Sequence, residues 1–234
     1  MVELRKIEVK HEVIASDNYT APMAKTISQL NDVRAILRSF GAMGYDIETK
    51  VHYGNLSARI DSRFICTATQ TSGLSFLEMA QYPIVEGLEE SVVHSKGLDA
   101  RALPSVECTT HDGLYKCNQR IKCVAHGHMQ LLYDYYRERE SEAVVIGEEV
   151  SYGSMELRER VIAEGGNPAL LCHHSPHGNW GTLVPLGHFN SFFIAGESIP
   201  AVRQGFLESL ANAALYLVDR AEEGLTLCED FDNR

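Results

Sequence analysis

Two hydrophobic rhythms alternate along this chain, and that alternation restricts its fold more than any other feature. Ile27, Leu30, Val33, Leu37 and Phe40 recur at helical spacing on one face. Thr26 and Gln29 make a capping-box pair at the start, and Gly41 and Gly44 close the segment. Period-two segments follow at 53–60 and 63–69, separated by a turn at Asp61 and Ser62. A looser acidic stretch leads to Leu103-Pro104-Ser105-Val106-Glu107, which predicts a helix with Ser105 as N-cap running to about residue 119. A strand at 121–125 then runs into His126-Gly127-His128. A helix at 129–140, a strand at 143–146 and a helix capped by Ser154 come next; Gly165-Gly166-Asn167-Pro168 ends that helix. Strands at 182–186 and 191–195 flank His188, and a long helix begins near Ser198. Its buried stripe is read as Ile199, Val202, Phe206, Leu210, Ala213 and Leu217. Strands and helices mixed in this order give an α/β class.

The 234 residues suit one domain, with its core at about 26–221 and an acidic tail at 228–234 that is expected to fray. A formal net charge of −11, with no local run of Lys and Arg, gives no attraction to nucleic acid or to an anionic membrane surface. Residues 1–10 lack the apolar core of a signal peptide, and no apolar run is long enough to span a bilayer. Six scattered cysteines without a Cys-x-x-Cys pair fit reduced thiols, so a cytoplasmic location is expected.

Chemistry concentrates in a few places. In an extended strand, residues i and i+2 point to the same side, so His126 and His128 can reach one divalent cation together. Alone, such a pair is a weak signal; two polar histidines at a strand end would look the same. Glu107 lies at a helix start, where free N–H groups favour an ionised carboxylate, although many glutamates sit there without a catalytic role. His111, one turn on, either supports a neighbouring group or packs in the core. The run Cys172-His173-His174-Ser175-Pro176-His177-Gly178 is dense in potential ligands but reads as a polar loop, whereas His188 sits at an expected hairpin tip. Two polar loops, Gly54-Asn55-Leu56-Ser57 and Thr71-Ser72-Gly73, have the small side chains and free N–H groups that suit an anion, or are simply turns.

In this order the pieces resemble the class II aldolase/adducin superfamily, fuculose-phosphate aldolase-like members included. The family's Gly-Asn-x-Ser-x-Arg signature is matched by Gly54-Asn55-Leu56-Ser57-Ala58-Arg59. Its Thr-x-Thr/Ser-Gly loop is matched, with a slight length change, by Thr69-Gln70-Thr71-Ser72-Gly73. Pro104-Ser105-Val106-Glu107, followed by His111, matches its Pro-Ser-x-Glu-x-x-x-His block; His126-Gly127-His128 and Tyr152-Gly153-Ser154 follow in order. The resemblance implies a three-layer α/β/α fold around a mostly antiparallel sheet. It also implies a homotetramer with sites near subunit interfaces. Zinc or another divalent metal would be held by His126, His128 and a later histidine, with Glu107 beside it as the catalytic acid–base. Asn55, Ser72, Gly73 and Ser105 would bind the phosphate of a small sugar-phosphate substrate.

The chain departs from the family pattern at the third ligand, usually a His-Gly between two strands. His188 lacks the glycine but has the flanking strands and helix; His174 ends a family-like Leu170-Leu171-Cys172-His173-His174. His188 is the favoured candidate, which would make 173–180 an inserted loop at the site mouth or at a subunit interface. The activity implied is retro-aldol cleavage of a ketose phosphate through an enediolate. Dehydratase or decarboxylase chemistry on the same ligands is the alternative. Epimerase relatives usually carry Asp where Glu107 stands. An adducin-like scaffold would lack the His-x-His pair that this chain keeps, and a metal-storage module would lack a phosphate pocket.

Overall fold

The computed structural model describes residues 7–147 and 149–232, with side chains as far as residue 221. In chain order the elements are β1 (Glu8–Val13), α1 (Ala21–Ser39), β2 (Gly44–Asp46), β3 (Val51–Tyr53), β4 (Asn55–Ile60), β5 (Arg63–Cys66), β6 (Ile84–Glu89), β7 (Val92–Gly97), α2 (Cys108–Cys117), β8 (Cys123–His128), α3 (Gln130–Arg137), β9 (Ala143–Ile146), α4 (Met155–Ala163), β10 (Trp180–Pro185), β11 (Ser191–Gly196) and α5 (Ile199–Asp232). Nine strands form one sheet in the order β1-β7-β6-β5-β4-β8-β11-β10-β9, and β2 and β3 make a separate small hairpin. The outer strands β1 and β9 run parallel to their neighbours, and every other pair in the large sheet is antiparallel. One face is covered by α1, α3 and α5, whose apolar sides bury Leu30, Leu37, Leu132 and Phe206 against Leu56, Ala125 and Phe192. The other is covered by α2 and α4, which pack Leu114, Leu157 and Val161 against Val124, Leu183 and Phe193. The expected three-layer α/β/α architecture around a mostly antiparallel sheet is therefore the fold. Among the described residues no helix is long and apolar enough to cross a membrane.

Several boundaries differ from the sequence reading. Helix α1 starts at Ala21 behind Thr20, with Pro22 in its first turn. Thr26 is inside the helix and its hydroxyl donates to the Pro22 carbonyl, so it caps nothing. A proline in the first turn costs no helical hydrogen bond, and that was the overlooked start signal. Phe40 ends the helix and is 52% exposed instead of buried. Leu217 in α5 is likewise exposed, and α5 continues through Cys228 to Asp232; Asn233 and Arg234 lie outside the described residues. The stretch read as loose and acidic contains β6 and β7, whose charged residues alternate with buried Ile84, Val85, Leu88 and Val93. Strand β1 also lies in the main sheet, outside the expected core at 26–221. Helix α2 begins at Cys108 with Glu107 as N-cap, so Ser105 belongs to the preceding turn. Strand β8 extends through His128, which puts the His-x-His pair inside the strand and not after it.

Two glycines let the strands meet at the site. Gly54 has φ +81, and a Cβ there would lie 3.0 Å from the His126 carbonyl, so the backbone crosses from β3 into β4 tight against β8. At Gly127 a Cβ would lie 2.7 Å from the Phe192 ring and 2.8 Å from the Ala42 carbonyl. Gly127→Ala is therefore expected to cost about 1–3 kcal/mol through overpacking, seen as a lower denaturant midpoint. An unchanged midpoint would mean that the packing around β8 is looser than these distances.

Candidate metal centre

Strand β8 lies between β4 and β11, with His126 opposite Asn55 on one side and Phe193 on the other, and His128 opposite Ser191. The two-residue repeat turns His126 and His128 to the face covered by α2 and α4, while Gly127 faces Phe192 in the opposite layer. Glu107 caps α2 on that same side. The connection from β10 to β11 is a short hairpin closed by His188 N–H donating to the Pro185 carbonyl (3.0 Å) and Ser191 N–H donating to the His188 carbonyl (3.1 Å). Its tip carries His188 back over β8.

These elements bring three imidazoles together. One ligand atom from each of His126, His128 and His188 lies within 4.8 Å of the other two. Ring centroids are 5.0 Å apart for His126 and His128, 4.6 Å for His128 and His188, and 5.3 Å for His126 and His188. The Glu107 carboxylate reaches into the group: one oxygen contacts His126 Nδ1 and the other lies 3.2 Å from His188 Nδ1. Asn55 Nδ2 stands 3.4 Å from Glu107 Oε2 and 3.3 Å from His126 Nδ1. The Nε2 of His126 is 3.0 Å from the Ser191 hydroxyl, and Phe193 stacks on its ring at 4.4 Å.

Burial sets the charge state. It pushes His126 down to about 3, His128 to about 4 and His188 to about 3, because an imidazolium loses its hydration there. The same effect raises the Glu107 carboxyl above its ordinary range. Three neutral imidazoles with one nitrogen each within 4.8 Å of the others, beside a carboxylate, are a donor set that fits zinc or a similar divalent cation. His111 stays outside this group; its Nδ1 bonds the Ser57 hydroxyl at 2.6 Å and its ring meets the edge of Phe193.

The other expected site residues fall into two groups. Asn55 joins the histidine cluster. Ser72 and Gly73 lie on a loop beside it, where the Ser72 hydroxyl donates to the Gly54 carbonyl and the Gly73 N–H donates to His52 Nδ1 at 3.0 Å. Ser105 is half-buried in the turn before α2, and its hydroxyl oxygen accepts the Glu107 N–H at 3.4 Å. His174 is exposed and bonds Asn179 at 2.7 Å, at the end of β10 and β11 away from His188. The loop at 173–180 is thus not at the site mouth; it is tied to Trp180 by paired backbone bonds from His173, whose ring stacks on the indole. Three contacts had no role in the sequence reading. Tyr152 stacks on His188 at 4.4 Å, Tyr53 meets His128 edge-on at 5.8 Å, and Ser191 holds His126. A polar Ser191 opening an otherwise apolar strand was the available signal for the last. An open pocket of 760 Å³ adjoins His128, walled by Tyr45, Ile47, Tyr53, Met129 and Phe189.

The fold is shared with solved structures of low identity. The sugar-phosphate aldolase from Thermotoga maritima superposes with TM-score 0.61 at 16% identity, covering 87% of this chain and 98% of that one. The L-fuculose-1-phosphate aldolase from Thermus thermophilus gives 0.59 at 15%, covering 86% and 97%. YgbL from Escherichia coli, provisionally described as an aldolase/epimerase/decarboxylase, gives 0.58 at 16%, covering 83% and 89%. No curated protein sequence matches the chain significantly. Residues 31–174, more than half of the chain, match the family described as Class II Aldolase and Adducin N-terminal domain, and the chain belongs to that family.

Proposed function

We propose that the chain is a metal-dependent aldolase that cleaves a ketose phosphate to an aldehyde and a three-carbon keto phosphate. The convergence of His126, His128 and His188 around the buried Glu107 carboxylate carries this reading. The three imidazoles would hold zinc, or another divalent cation, and leave room for substrate. When bound, the cation supplies Lewis acidity to the substrate's carbonyl and hydroxyl oxygens.

The remaining chemistry falls to the chain's own groups. Glu107 takes the proton of the substrate hydroxyl that becomes the aldehyde, the adjacent C–C bond breaks, and the carboxyl returns the proton to the carbon of the three-carbon fragment. Burial, which raises the carboxyl's proton affinity, strengthens Glu107 as the base in the first half of that transfer. Asn55 holds the carboxylate and His126 in register. Ser72, Gly73 and Ser105, with Asn55, would take the substrate phosphate. The open pocket beside His128 would receive the aldehyde fragment; Ile47 and Phe189 on its wall are exposed in the single chain, which suits the expected homotetramer.

A screen of sugar phosphates, with and without chelator, tests the activity directly. Aldehyde release that chelation abolishes supports the aldolase; release of CO₂ or of water without C–C cleavage would assign the decarboxylase or dehydratase reaction instead. Purified wild-type protein is expected to carry one metal ion per chain, and the His126→Ala/His128→Ala double variant none by elemental analysis. Equal zinc affinity in that variant would move the site elsewhere. Glu107→Gln is expected to keep the metal and lose about 10²–10⁴ in kcat, and an unchanged kcat would take Glu107 out of the mechanism. Because burial already keeps the imidazoles deprotonated, protons compete weakly with the metal. Apparent zinc affinity is expected to change by less than about tenfold between about pH 6 and pH 8. A rise of about 100-fold or more over that range would mean histidines that titrate normally.

A further inference from the structure

One face of α1 carries Asn31, Arg34 and Arg38, and this polar row holds the loop at 71–77. Asn31 closes it from below, accepting the Leu77 N–H and donating to the Leu77 carbonyl. Arg34 donates to the carbonyls of Thr71 (3.3 Å) and Leu74 (2.9 Å), and Arg38 to that of Gly73 (2.9 Å). Arg34 is fully buried. Among the described residues neither guanidinium has a carboxylate partner, and the Nε of each is buried without a hydrogen bond. The two cations stand one helical turn apart, so they also repel one another.

A loop can be pegged by neutral amides. Two uncompensated charges, one with no exposed surface, are a costly way to do it in a chain whose net charge is −11. The geometry says where the compensation belongs. A planar trans peptide points its N–H opposite to its carbonyl. With the Thr71 carbonyl turned to Arg34, the next N–H, that of Ser72, is directed away from the guanidinium, and it makes no hydrogen bond among the described residues. The Gly73 N–H is taken by His52 Nδ1, and the His52 ring is leaned on by Tyr45 at 4.7 Å. The Ser72 hydroxyl touches Gly54, the residue before Asn55, so this loop borders the histidine cluster.

We infer that Arg34 and Arg38 are the charge source of the phosphate seat: they act through the loop peptides at 71–74 to make it select a dianionic phosphate over a neutral group, with His52 as the cap that the phosphate displaces. This rests on the phosphate role proposed for Asn55, Ser72, Gly73 and Ser105. Both arginines are positioning residues, since neither touches the ligand.

Arg38 is only part-buried, so its variants are the practical test, with inorganic phosphate as probe on the zinc-loaded protein. Arg38→Gln is expected to weaken phosphate binding about tenfold or more, and Arg38→Lys to restore most of it. In wild type, phosphate binding should strengthen as rising pH turns the probe from monoanion to dianion, and in Arg38→Gln that gain should shrink. A residue that merely pegs the loop would weaken both forms of phosphate alike. Phosphate bound equally well by wild type and Arg38→Gln overturns the assignment of the arginines, as does a wild type that binds no phosphate at millimolar concentration. A wild type that binds phosphate in this charge-dependent way yet cleaves no sugar phosphate leaves the inference standing and removes only the aldolase reading.

Discussion

A carboxylate buried among imidazoles is the interaction on which the rest of this structure depends. Glu107 sits between His126 and His188 with Asn55 against it; Glu107, His126 and Asn55 are buried, and His188 is partly so. Each group alone would pay for that burial; together they share hydrogen bonds and a place for a cation. Desolvation keeps the rings neutral and the carboxyl reluctant to ionise, the opposite of what a surface ion pair would do. Such an arrangement could serve as a ligand shell and is poorly suited to being a structural salt bridge.

The fold supplies this cluster from five segments. The β8 strand is central, and its neighbours β4 and β11 bring Asn55 and Ser191 alongside its two histidines through the sheet register. The start of α2 brings the carboxylate, and the β10–β11 hairpin brings His188. Gly54 and Gly127 make this possible because a side chain at either would push the strands apart or into the helical layer. The loop at 71–74 is anchored from α1, which lies on the sheet face opposite the three histidines.

Much of this was legible in the sequence, for physical reasons. Period two at 126–128 requires two histidines on one face, and apolar strands on both sides of His188 require a rigid hairpin tip; both follow from local pattern. Tyr152 was visible only as part of a motif, because a stacking contact between residues 36 positions apart leaves no local trace. The strands at 84–97 were hidden by their charged outward residues, and β1 by its place at the sheet edge, where the apolar alternation is weak. Helix starts were misplaced at α1 and α2 because a good capping residue also serves in turns, as Ser105 does. The arginines of α1 carry no local signal of their role; only the three-dimensional course of the 71–77 loop places them beneath it.

A divalent cation held by His126, His128 and His188 beside Glu107 is what the proposed chemistry requires. X-ray absorption at the zinc edge of the zinc-loaded protein tests it most directly. Three-histidine ligation predicts a first shell of nitrogen and oxygen only, at about 2.0–2.1 Å, with the multiple-scattering signature of about three imidazoles. A shell containing sulfur at about 2.3 Å, or fewer than two imidazoles, would contradict it.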